Sequence, residues 1–201
     1  MFRLHSLLGS SLATSMSALA LSVGVACAAG DEPQAKPLFN GKDFSGWTYV
    51  LDKEGVAMED VWSIDNGVLA CKGTPRGYLL TKRNDYENYV LTLQWRWPEK
   101  GGNNGVLVHT STPGTLGIWP KSLEVQLRAG DAGDFWVIGT TIDVPKDQKR
   151  EGRRHFNLTD GSEKPLGEWN EMEIVCRGDT VDVKVNGELV NRCTNSSVTQ
   201  G

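Results

Sequence analysis

One stretch sets three functional side chains at alternate positions. In SLEVQLRAGDAGDFWVIG, residues 122–139, Glu124, Gln126 and Arg128 alternate with Leu123, Val125 and Leu127. Residues i and i+2 of an extended strand share a face. If the apolar residues line a core, a carboxylate, an amide and a guanidinium face outward together. A carboxylate so placed can act as a general base, and its polar neighbours can hold a carbonyl or a developing anion. A second strand, NYVLTLQWRW (88–97), has apolar Tyr89, Leu91, Leu93, Trp95 and Trp97 against Gln94 and Arg96. A third, GVLVHT (105–110), would bury Val106 and Val108 and turn His109 outward. If these strands are neighbours, Gln94, Arg96, His109, Glu124, Gln126 and Arg128 form one polar floor. A plain solvated face gives the same alternation, although Gln and His are less usual there than Lys and Glu.

The elements that would position these residues are strands. The 201-residue length suits one domain beyond the N-terminal segment. Asn66-Gly67 separates two short alternating runs in DVWSIDNGVLAC, a strong hairpin signal. GYLLT, DFWVIG, NEMEIVCR, TVDVKVN and ELVNRC continue the pattern, and only GVAMEDVW could form a helical turn. Short, regularly spaced strands with Gly-rich turns predict an all-β sandwich of antiparallel sheets. Two long loops, 111–121 (with Trp119) and 140–167, are candidates for function. Asn157 and Asn195 head glycosylation-type triplets, a pattern that is frequent by chance.

Residues 1–28 read as a signal peptide: Arg3 near the start, an apolar run around Ala18–Ala26, then Ala26-Cys27-Ala28 as the cleavage site. The protein is then periplasmic or secreted. Lipidation at Cys27 is the alternative, disfavoured by Gly24 three residues earlier, and the mass of the mature N terminus distinguishes the two. Residues 29–36 form a linker before a domain at 37–201. No later segment is apolar enough to span a bilayer. The remaining cysteines are Cys71, Cys176 and Cys193. Cys176 and Cys193 fall on strands flanking a central one, about 9–10 Å apart, too far for a disulfide.

Several chemistries are excluded. A net charge of −4 and the lack of a basic stripe argue against nucleic acid as a partner. Zinc-type His/Cys spacing, a phosphate-cradling glycine loop and a nucleophile elbow are all absent from the sequence.

LFNGKDFSGW (38–47), VWSIDNGVLACKG, NYVLTLQWRW, GGNNGVLVHT, WPKSLEVQL, GDAGDFWVIG and GEWNEMEIVCRGDTVDVKVNGELVN occur in an order that resembles the 3-keto-disaccharide hydrolase domain family over residues 37–201. The resemblance implies a concanavalin A-like jelly-roll sandwich of two antiparallel sheets, here expected to lack its C-terminal strand. It also implies an enzyme acting on glycosides oxidised at C3 of the sugar. His109 stands where many relatives carry Arg.

A C3 ketone acidifies the C2 hydrogen, so a base can remove that proton and expel the C1 substituent, with water addition completing a net hydrolysis. Glu124 or His109 is the expected base. Arg96 and Gln126 would bind the ketone or enolate. Asn104, Trp119, Asp134 and Trp136 would hold the sugar. Asp134 could equally close the Gly133 turn, and Trp136 could be core. No cofactor is assigned, and a divalent cation held by Glu124 and His109 would suit the enolate. The rival class is a non-catalytic, lectin-like carbohydrate-binding module. An ordinary glucanase ranks last, because Gln126 stands where a second acid is expected.

Overall fold

The computed structural model describes the backbone of residues 2–7 and the whole of residues 36–201. Most of the expected leader, including Cys27, and most of the linker lie outside the described residues. The elements in chain order are β1 (Phe2–Leu7), β2 (Trp47–Leu51), α1 (Met58–Val61), β3 (Trp62–Asp65), β4 (Val68–Cys71), β5 (Gly77–Thr81), β6 (Tyr89–Trp95) and β7 (Gly105–Val108). They continue with β8 (Ser122–Gln126), β9 (Phe135–Ile138), β10 (Arg150–Glu151), β11 (Arg154–His155), β12 (Asn170–Arg177), β13 (Thr180–Val185) and β14 (Glu188–Cys193).

The fold is the expected all-β sandwich. A seven-stranded sheet runs β14-β13-β12-β6-β1-β4-β3, and a five-stranded sheet runs β10-β11-β9-β8-β7. Every pairing is antiparallel. The pair β2-β5 forms a small third sheet. Alternation explains the layers. Leu91, Leu93 and Trp95 of β6, Met172 and Ile174 of β12, and Val181, Val183 and Val185 of β13 point into one core. Leu123 and Val125 of β8 and Phe135 of β9 meet them from the five-stranded sheet. Each fully buried aliphatic side chain of this kind contributes about 1.5–3 kcal/mol. A second cluster, Phe39, Val61, Trp62 and Leu69, is separate from this core.

The hairpins follow from their turn residues. Asn66 and Gly67 have φ of 49° and 76°, and Asn186 and Gly187 have 51° and 86°. Positive φ at both central positions is the turn whose twist matches paired strands, and Asn-Gly adopts it at least cost. Cys176 and Cys193 both register with Val181 of the central strand β13, and both thiols are free, as the spacing requires.

Candidate functional site

The alternation reading holds for β8. Leu123 and Val125 are fully buried in the core, so Glu124 lies on the outer face of the five-stranded sheet. The strand register sets its neighbours. Glu124 is opposite Leu107 on β7 and Trp136 on β9, and Trp136 is opposite Arg154 on β11. Leu107, Glu124, Trp136 and Arg154 therefore form one row across that face.

Glu124 lies across Gly105 of β7. A Cβ at residue 105 would stand 2.2 Å from Glu124 Oε1 and 2.8 Å from its Cδ. The carboxylate thus occupies the space that a side chain at residue 105 would take. The Asn104 side chain sits just before it, its Oδ1 accepting from Gly105 N at 2.8 Å. Burial pushes the Glu124 carboxyl above its ordinary range, and the charge of Arg153 pulls it partly back. Among the described residues Glu124 makes no hydrogen bond and no ion pair.

Asp134 and Arg154 brace this row. Asp134 is 2% exposed. Its Oδ1 accepts from Asn157 N at 2.7 Å and its Oδ2 from Arg154 Nε at 2.5 Å. Arg154 also reaches Asp131 at 2.7 Å and lies over the Phe156 ring at 4.0 Å. Burial raises the Asp134 carboxyl, and the Arg154 and Asn157 hydrogen bonds oppose that shift. Both Asp134 oxygens accept hydrogen bonds within the protein, and Oδ2 holds Arg154.

Other expectations are met differently by the structure. The single polar floor does not exist, because β6 belongs to the seven-stranded sheet. Leu91, Leu93 and Trp95 take its core face, so Gln94 lies on the opposite side of the sandwich from Glu124. Arg96, past the end of β6, lies over the Trp169 ring at 4.9 Å.

His109 is not outward. Its φ of 54° breaks the two-residue alternation, so Val108 and His109 are both buried, at 2% and 1% exposed. The His109 ring lies edge-on to Tyr89 at 5.6 Å, with Nδ1 3.1 Å from the Val198 carbonyl oxygen. Burial lowers its pKa. It sits on the core side of its sheet, so Glu124 and His109 cannot share a cation. Among the described residues no cluster of three or more His, Cys, Asp or Glu side chains could hold a metal.

Gln126 is 5% exposed, and its Oε1 accepts from Leu127 N and Arg128 N at 3.1 and 3.2 Å. Its carbonyl thus ends the strand instead of meeting a ligand. Arg128 lies beyond that end, exposed and 3.2 Å from Asp131. Trp119 packs with its ring 5.8 Å from that of Tyr78 on β5. Trp136 does join Glu124; its indole Nε1 is buried without a hydrogen-bond partner.

Sequence reasoning missed Arg153. It sits in the turn between β10 and β11, its guanidinium 5.4 Å from the Trp136 ring centre. Its Nη1 donates to the Val137 carbonyl at 3.2 Å. The Lys/Arg/Asp-rich loop 140–167 gave no periodic signal by which to place it.

Residues 34–201 match the family described as the 3-keto-alpha-glucoside-1,2-lyase-like domain. The chain belongs to this family. Two crystal structures of candidate glycosyl hydrolases from Parabacteroides distasonis are similar to it. The first is 26% identical with a TM-score of 0.54, covering 79% of this chain and 71% of that one. The second, at 24% identity and a TM-score of 0.55, covers 80% and 71% and bears on the fold alone. Nothing among curated proteins matches the chain. Family and first neighbour agree on a carbohydrate-active, hydrolase-like domain. In the described residues no helix is long and apolar enough to cross a membrane.

Proposed function

We propose that this chain cleaves the glycosidic bond of 3-keto-glycosides by removing the C2 proton and eliminating the C1 substituent, with Glu124 as the base. The observation that carries the reading is the isolation of Glu124. Its cross-strand partners are Leu107 and Trp136, so no second carboxylate stands opposite it. Ordinary glycosidases flank the scissile bond with two carboxyl groups. A substrate whose own ketone acidifies C2 needs one base and a means of holding the enolate. A carboxyl raised by burial is a better proton acceptor than a solvated one, because its basicity moves toward neutral operating pH. Trp136 offers an apolar ring beside it for the sugar face, and Asn104 borders the same notch.

The experiment is turnover of a 3-keto-glucoside carrying deuterium at C2. If proton removal limits the rate, release of the C1 substituent slows severalfold. Equal rates for the protiated and deuterated substrates, under conditions where chemistry limits turnover, would count against C2 abstraction.

A further inference from the structure

The proposed elimination needs a cation for the enolate, and the side chain expected to supply it, Arg96, lies past the end of β6 against the Trp169 ring. The Glu124 face holds two guanidinium groups. Arg154 is fixed by Asp131 and Asp134. Arg153 is different: it is exposed, forms no ion pair among the described residues, and has one hydrogen bond, to the Val137 carbonyl. That bond and the Trp136 ring hold its guanidinium on the face where Glu124 stands. Glu124 and Arg153 do not pair with each other, yet the charge of one acts on the other. An unpaired carboxylate and an unpaired guanidinium thus share Trp136 as a common neighbour.

We propose that Arg153 is the catalytic cation of this face, donating hydrogen bonds to the C3 oxygen of a 3-keto-glycoside bound between it and Glu124. This rests on the reading of Glu124 as the base. The Glu124 carboxylate takes the C2 proton. The C2–H electron pair forms a C2–C3 double bond, and the C3 carbonyl pair moves onto oxygen, where Arg153 neutralises it. When the carbonyl re-forms, the pair returns to make a C1–C2 double bond, and the C1–O bond breaks. The leaving oxygen takes the proton from Glu124 or from water, leaving an unsaturated 3-keto sugar. Nothing is oxidised or reduced. A guanidinium suits the role because its fork presents several donors and stays charged throughout.

The test uses the full chain, with p-nitrophenyl 3-keto-α-glucoside and its unoxidised parent as probes. In an E124Q background, which stops turnover, the keto sugar should bind about tenfold or more tighter than the parent, and adding R153Q should erase that preference. With Glu124 intact, R153Q should lower kcat by about 10²–10³-fold. R153K should fall between the two, and the melting temperature should hold, since Arg153 is exposed. An R153Q protein that keeps both the keto preference and the rate overturns the assignment and leaves Glu124 standing. An E124Q protein that binds neither sugar overturns the reading of the whole face, Arg153 included.

Discussion

Glu124 is held against its own ionisation. Its carboxyl lies on a glycine with no hydrogen bond to the described protein, and burial raises its pKa above the ordinary 4.5. A carboxyl with a raised folded pKa binds its proton more tightly in the folded state than in the unfolded one. Its contribution to stability is therefore greatest at low pH. It declines as pH rises from about the ordinary value through the folded pKa, and the charged form then destabilises the fold. E124Q should consequently melt higher than the parent at pH 7, by on the order of 2–4 °C for each kcal/mol relieved. The gain should vanish below the ordinary carboxyl pKa, where both proteins carry a neutral group. Thermal melts at pH 7 and pH 4 check this; a lower melting temperature for E124Q at pH 7 would mean that the carboxylate is satisfied in place. At this scale the sequence was readable for Glu124, whose face follows from strict alternation, while it left Trp136 open between site and core. It misled at His109, because one left-handed residue turns a side chain from solvent to core without changing residue type.

At the scale of elements, strands and turns were legible and sheet membership was not. The Asn-Gly hairpins, the β6 alternation and the Cys176–Val181–Cys193 row follow from local rules. Alternation says which residues share a face of one strand, but not which strands share a sheet, so β6 and β8 could not be assigned to opposite layers. Arg96, next to β6, was lost from the site for that reason. The contact between β7 and β8 carries its own prediction. A methyl group at residue 105 meets the movable atoms of Glu124, not backbone, so Gly105→Ala should fold with a melting temperature within about 2 °C of the parent. The displaced carboxylate should still cost activity, by about 100-fold, the penalty typical of a 1 Å misplacement. Melting and kcat/KM of the one variant decide the matter: unchanged kcat/KM would mean that the notch does not position a catalytic group.

Over the whole molecule, the seven-stranded sheet includes a strand, β1, that falls within the segment read as a leader. Phe2–Leu7 of β1 registers with six residues of β6, Val90–Trp95, and reaches β4 at Phe2↔Leu69. Consecutive residues of a strand turn their N–H groups to opposite neighbours, so Leu4→Pro with His5→Pro removes at least one donor facing β6. The doubly substituted full chain should melt about 5 °C or more below the parent, with faster amide exchange through Val90–Trp95. Unchanged melting and exchange would mean that β6 does not rely on β1. On the proposed reading Glu124 has no carboxylate directly opposite it on β7 or β9, and that is the centre of the functional account. The most direct measurement is p-nitrophenol release by the full chain from p-nitrophenyl 3-keto-α-glucoside, set beside the unoxidised glucoside. The account predicts cleavage of the keto substrate, none of the parent, and loss of about 10³-fold or more with E124Q. Equal cleavage of the parent glucoside, or an undiminished rate with E124Q, would contradict it.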